Sequence, residues 1–287
     1  MIKRNQHFYR IAELNLAMVL ISTSGALGRY ITLPPPVTIM SRALIACLLL
    51  FLYCRWKKIV LFKAFKKDAL PIFIGGVLIG LHWVTYFYAL RLSNVAIGLL
   101  SIFTYPVMTS FLEPLLLKTR FQKIHLLLAF LVLIGLFFLV PEFNLDNNYT
   151  VAVLFGLFSA LCYALRNIIL KKQIQRHNGV ALMWYQLIVV SVLLLPLLGF
   201  FEFELIIEQW PALVLLALLT TAIGHTLFLM SFKHFSITTA SIMSSAQPIY
   251  GILIGMIFLS EYPDLSTVFG GLLILTSVVI ESIRSFR

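Results

Sequence analysis

What most constrains this chain is a succession of apolar runs, each closed by charged residues or proline. A membrane-spanning helix needs about 20 mainly apolar residues. The sequence divides into ten such runs, at residues 14–33, 36–54, 70–90, 95–117, 123–140, 151–170, 180–201, 211–232, 237–259 and 265–283. Stretches such as Leu126 to Val140 and Leu213 to Leu219 are apolar on every side. That suits helices whose backbone bonds are internal, and not the alternating ~10-residue strands of a membrane barrel. Charged residues make up 11% of the 287 and hydrophobic ones 61%, against about 25% charged in a soluble domain. Mean hydropathy is +0.99, which excludes disorder. Three cysteines are too few, and odd in number, for a disulfide scaffold; Cys47, Cys54 and Cys162 read as small packing residues. The expected fold class is an all-α integral membrane protein of ten transmembrane helices.

The basic residues set the orientation, because Lys and Arg are retained in cytoplasmic loops. With the N-terminus in the cytoplasm, 18 of the 22 basic residues fall on that side, from Lys3, Arg4 and Arg10 to Lys171, Lys172, Arg176 and Lys233. Arg91 alone lies opposite, while Arg29, Arg42 and Arg166 fall inside spans. The far-side loops carry Glu142, Asp146, Glu202, Glu204, Glu208, Glu261 and Asp264. One helix missed or added mid-chain destroys this split, so both termini are expected in the cytoplasm. The net charge of +11 is thereby a topology signal and calls for no nucleic acid. The basic start and the small residues Ser22 to Ala26 resemble a signal peptide, but the apolar stretch continues to Leu33 and the first span is expected to be retained.

The chain also contains its own copy. Segment 82–118 lies over 224–260 without a gap, at a constant offset of 142 residues. Arg91 falls on Lys233, Asn94 on Ser236, Tyr105 on Gln247 and Pro106 on Pro248. Earlier helices match more loosely, Ala26-Leu27 with Ala164-Leu165 and Ser41-Arg42 with Tyr185-Gln186. The expected halves are 1–146 and 147–287. With five spans each, they enter the bilayer in opposite senses. Inverted repeats of this kind mark secondary transporters, with the substrate site near the midplane.

In FYALRLSNVAIGLLSIFTYPVMTSFLEPLLLK and LFLMSFKHFSITTASIMSSAQPIYGILIGMIFLSE, each half joins a short hairpin to a helix with a Pro midway. This arrangement resembles the EamA-type family of the drug/metabolite transporter superfamily. The resemblance implies a ten-helix carrier of small metabolites, many members being exporters of amino acids or related compounds. Many members carry an acidic residue just after helix four; the second half keeps it as Glu261, whereas the first has Lys118-Thr119-Arg120.

Several residues are candidates for the transport path. Pro106 and Pro248 deprive the carbonyls of Ile102 and Ser244 of their helical donors, which makes a kink beside a wet cavity or a packing bend. His82, with Tyr86 one turn on and Trp83 adjacent, offers rings for contact and few polar tips for orientation; alternatively, the histidine bonds a neighbouring helix. Ser101, Tyr105 and Met108 share a face of helix four. Helix nine offers Ser241 and Ser245 on one stripe, Ser244 and Gln247 on the next, although serines also serve as helix-packing glue. Tyr163 supplies a further aromatic wall. His225, with Thr221 one turn earlier, falls one residue from the repeat equivalent of His82. His82 and Glu113 are the residues able to exchange a coupling proton, but Glu113, near Lys118 and Arg120, also reads as a structural ion pair. Arg29 and Arg42 either meet a substrate carboxylate or reach the headgroups. Gly76-x-x-x-Gly80 and Gly251-x-x-x-Gly255 permit close helix packing.

These features lead to a non-enzymatic carrier working by alternating access, with a small-molecule substrate, the lipid bilayer and a coupling proton as partners. No cofactor or metal site is expected, and a monomer suffices. The expected location is a bacterial inner membrane, crossed many times. Alternatives within the superfamily are a multidrug carrier, needing a buried carboxylate, and a nucleotide-sugar carrier, needing a strongly basic cavity. A membrane enzyme acting on lipid is disfavoured by the lack of a clustered Asp, Glu or His set.

Overall fold

A computed structural model describes residues 2–61, 68–118, 123–140, 144–200, 203–235, 240, 244 and 246–285. Its helices are α1 (Ile2–Tyr30), α2 (Pro35–Trp56), α3 (Ala69–Leu92), α4 (Val95–Ile102), α5 (Tyr105–Leu117), α6 (Ile124–Leu139), α7 (Asn148–Arg176) and α8 (Gly179–Leu194). A 3-10 turn at Leu195–Phe200 leads to α9 (Phe203–Glu208) and α10 (Trp210–Leu215). The latter continues as a π-helix over Leu216–His225 and as α11 (Thr226–Ser231). Helices α12 (Ala246–Leu259) and α13 (Leu265–Ser285) follow. Among the described residues there is no strand.

Seven helical stretches are long and apolar enough to cross a membrane: Tyr9–Tyr30, Pro35–Trp56, Ala69–Leu92, Val95–Leu116, Asn148–Arg176, Gly179–Leu197 and Trp210–Ser231. Leu126–Leu139, Ala246–Leu259 and Leu265–Ile280 are shorter apolar helices. The protein is a multi-pass helical membrane protein. Parts of the run expected at 237–259, including Ser241 and Ser245, lie outside the described residues.

The helix boundaries follow from the sequence chemistry. Pro35 stands in the first turn of α2, where its missing N–H leaves no bond unmade. Asn94, Asn147 and Asn178 cap α4, α7 and α8, their side-chain oxygens accepting from Ile97 N, Tyr149 N and Val180 N, each at 2.9 Å. Lys118 and Ser260, which the 142-residue offset pairs, both adopt left-handed backbone, at φ 55° and 56°; each follows directly on a helix, α5 and α12.

Helix direction can be read from contacts at the two ends of α3, whose 24 residues span roughly 36 Å at 1.5 Å per residue. At its start, Asp68 bonds His177 at 2.8 Å and lies 3.5 Å from Arg176, both at the end of α7. At its other end, the Leu90 and Arg91 carbonyls accept from Arg29, near the end of α1, at 3.3 and 3.4 Å. Helices α1 and α7 therefore run in opposite directions.

Close packing uses small residues, as expected where lipid removes the hydrophobic drive between helices. A methyl group added at Gly76 would come within 2.6 Å of Val189 on α8, and one at Gly251 would collide with Leu99 on α4. Elsewhere α3 packs on α7, α1 on α12 and on the π-helix, α2 on α8, and α6 on α13.

Candidate functional site

A buried cavity lies where α1, α2, α3, α7, the π-helix and α12 converge on a broken helix. Ile21 and Ser24 reach it from α1, Arg42 from α2, and His82, Trp83 and Tyr86 from α3. Ile102, Phe103 and Tyr105 line it at the α4–α5 break, with Tyr163 on α7, His225 at the end of the π-helix and Gln247 on α12. Its volume is about 20 Å³, room for one or two waters. Anything larger than water has room here only if the surrounding helices part.

The break in the fourth span is where the chain follows its proline. Pro106 stands in the first turn of α5, with Phe103 and Thr104 between that helix and α4. The tightened turn is stabilised by Thr104 Oγ1 donating to the Ser101 carbonyl at 2.8 Å. Pro248 likewise lies in the first turn of α12, and the Ser244 carbonyl accepts from Gln247 N at 2.9 Å. Neither proline lines the cavity; their neighbours Tyr105 and Gln247 do.

Stacked rings form the cavity wall. The His82 ring lies 4.4 Å from Tyr163 at 19° and 6.4 Å from Tyr86 at 8°, while Tyr105 meets Tyr163 edge-on at 5.0 Å. His82 is tied to α7 in both directions: Ser159 Oγ donates to the His82 carbonyl at 2.8 Å and lies 2.8 Å from His82 Nδ1. His82 thus both bonds a neighbouring helix and lines the cavity.

Across the cavity, Trp83 Nε1 donates to His225 Nε2 at 3.2 Å. That bond joins residues 142 apart, so His225 meets its own repeat counterpart. Tyr105 Oη and the Ser244 hydroxyl are 2.5 Å apart, which places Ser244 one bond behind the lining.

Arg42 is 1% exposed and so does not reach the headgroups. Its guanidinium sits 4.4 Å over the Trp83 ring, and its Nε donates to the Thr221 hydroxyl. In the sequence its one signal is an arginine within an apolar run. Ser24 and Ser159 were missed, being indistinguishable from packing serines.

Ser101 and Glu113 lie away from the cavity. Ser101 is fully buried but faces α7, where a methyl group added at Gly156 would collide with its oxygen; its hydroxyl donates to the Ile97 carbonyl at 2.8 Å. It is a packing residue in a tight helix crossing. Glu113 accepts from Lys171 Nζ at 2.7 Å, joining α5 to α7 near the end where Asp68 meets His177.

At the opposite end Glu261 holds two partners. Its Oε1 accepts from Arg29 Nε at 2.8 Å and its Oε2 from Val95 N at 2.8 Å. Arg29 is thereby occupied by protein. Among the described residues, no group of His, Cys, Asp and Glu has the disposition to hold a metal ion.

A polytopic helical bundle with an aromatic cavity and a buried arginine at its centre, and ion pairs at both ends, has the form of a membrane carrier. Residues 14–140 and again 150–283 match the EamA-like transporter family, and the chain belongs to that family. It is similar to the pseudopaline exporter CntI of two Pseudomonas aeruginosa strains, at 25% identity over 250 residues covering 86% of both chains. An uncharacterized transporter of Archaeoglobus fulgidus is 27% identical over 198 residues, 68% of this chain and 70% of the relative. A solved protein structure superimposes with a TM-score of 0.70 at 17% identity, covering 96% of this chain and 98% of the other; that likeness concerns the fold.

Proposed function

We propose that the protein is a ten-span carrier built from two oppositely inserted five-helix halves, which exports small amphiphilic metabolites such as amino acids by alternating access. The observation that carries this reading is the Trp83–His225 hydrogen bond beside the cavity. Two residues at equivalent positions of a repeat touch one another only near the axis relating the halves. The packing has the same reciprocity: α3 lies on α7 as the eighth span lies on α1, and α1 lies on α12 as α7 lies on α4 and α5. The opposite directions of α1 and α7, the paired left-handed residues Lys118 and Ser260, and a family match falling once on each half support it further.

The two ion pairs then stand as gates. Arg29–Glu261 joins the first span to the end of the ninth; Lys171–Glu113 joins the sixth to the end of the fourth. Exchange of the halves maps one location on the other, at opposite ends of the bundle. Opening one end while the other stays clasped exposes the cavity to one side at a time. By the distribution of basic residues, the Glu261 end faces outward and both termini lie in the cytoplasm. The export direction is taken from the similar Pseudomonas exporters.

The test is counterflow and uptake in proteoliposomes with a panel of amino acids and nucleosides, with and without a pH gradient. Saturable movement of at least one amino acid is expected. His82→Ala and Tyr105→Ala should impair it while circular dichroism stays unchanged. Full transport by both variants removes the cavity from the path, and a flux that never saturates replaces the carrier with a channel.

A further inference from the structure

The central cavity holds a positive charge that the protein leaves uncompensated. Arg42 is 1% exposed, and among the described residues its hydrogen bond runs from Nε to the neutral Thr221 hydroxyl. Its Nη2 is buried without any partner. No described carboxylate forms an ion pair with it; the described acidic partners Glu261, Glu113 and Asp68 serve Arg29, Lys171, Arg176 and His177 near the two ends. A second guanidinium behaves alike. Arg166 is 1% exposed, donates to the neutral oxygens of Gln186 and Asn167 at 2.9 and 3.0 Å, and keeps its own Nη2 unpartnered. It stands one turn along α7 from Tyr163, which lines the cavity.

A guanidinium in a membrane interior is costly unless paired, and two of one sign reinforce one another. The trimmed packing elsewhere makes an idle charge here more telling. The Arg42 guanidinium carbon stands 4.4 Å over the Trp83 ring, and its Nη2 is left without a hydrogen-bond partner. A guanidinium edge presents parallel N–H donors, the geometry that grips a carboxylate with two bonds. Aromatic walls from His82, Tyr86 and Tyr163 surround it.

We propose that Arg42 is the carboxylate subsite of the cavity, with Arg166 adding positive potential, and that cargo is admitted as an organic acid whose apolar part lies against the rings. This rests on the carrier reading above only for the word cargo; binding is measurable without transport.

Benzoate, benzamide, benzylamine and phenylphosphonate share one ring and differ only in the head group. Each is titrated, at constant ionic strength, into full-length protein in nanodiscs while tryptophan fluorescence and thermal midpoint are recorded. Benzoate should perturb the fluorescence and raise the midpoint, with benzamide and benzylamine at least about tenfold weaker, as loss of a charge-assisted pair requires. Arg42→Gln should remove the preference for benzoate over benzamide. Arg42→Lys, which keeps the charge and folds as a control, should retain part of it. Equal response to benzoate and benzamide, no response to any probe, or a preference unchanged in Arg42→Gln overturns the proposal. Preference for phenylphosphonate overturns it in favour of a phosphoryl site. Benzoate binding together with absence of all transport would keep the subsite and sink the carrier reading; transport confined to neutral solutes would do the reverse.

Discussion

Replacing Glu261 by Gln removes a charge while keeping the shape of the side chain, and so isolates what the clasp contributes. Both carboxylate oxygens are used, one by Arg29 Nε and one by Val95 N, each at 2.8 Å. Glutamine keeps one acceptor oxygen and must surrender one of the two bonds. A hydrogen bond to a charged group contributes about 1.5–3 kcal/mol, and an exposed ion pair about 0–1 kcal/mol. The side chains here are 31% and 21% exposed, so screening reduces the total to about 1–2 kcal/mol. That corresponds to about a 5–30-fold change in an opening equilibrium. Hydrogen–deuterium exchange of protein in nanodiscs reads it directly. In Glu261→Gln, amides at 90–97 and 257–262 should exchange about 5–30 times faster, while those at 168–176 stay as they were or slow. Glu113→Gln should act at 110–117 and 168–176 instead, more weakly, because Lys171 is 44% exposed. Exchange within twofold of the parent at 90–97, or equal acceleration of both ends in either variant, would refute the reasoning.

Gly156→Ala should lower the thermal midpoint by an amount equivalent to about 1–3 kcal/mol of overpacking, since the new methyl group lands on Ser101; an unchanged midpoint means the α4–α7 crossing is looser than described. Asp264→Ala should cost about 1 kcal/mol in guanidinium or thermal unfolding, because its Oδ1 accepts from Thr267 N at 2.6 Å at the start of α13. Hydrogen bonding from His177 foremost, with Gln173 and Arg176 adding to it, holds the Asp68 carboxyl below the usual carboxylate range. A depressed folded value means the stabilisation is full above about pH 4, the unfolded carboxyl value, and fades as pH falls below it. Protection factors at 68–72 and 173–177, taken against the intrinsic exchange rate at each pH, should therefore fall between about pH 4 and 3 in the parent protein and not in Asp68→Asn.

The apolar runs made the membrane fold legible because span length and composition are local properties. The serines were less so. Ser101 shares a helical face with Tyr105, yet the break at Phe103–Thr104 rotates that face, and Ser101 ends against Gly156. The proline announced the break, but the angle through which it turns depends on α7. The π-helix at Leu216–His225 left no local signature. It is wound more widely than an α-helix, and His225 at its end meets Trp83. Arg42 was visible as a charge in an apolar run, but its depth depended on tertiary contacts with Trp83 and Thr221. Glu261 stood out as an unmatched acidic residue; its partner Arg29 lies 232 residues away, beyond any pattern in one sequence.

Alternation between two clasped ends is the claim on which the account turns, and crosslinking tests it most directly. Arg29→Cys with Glu261→Cys, and separately Glu113→Cys with Lys171→Cys, can each be bridged in proteoliposomes by a short bis-thiosulfonate, which forms a disulfide to each cysteine with loss of sulfinate and is cleaved by a reductant. The account predicts that bridging either end stops transport, that cleavage of the bridge restores it, and that the unbridged variants still transport. Continued turnover with either end locked would contradict it.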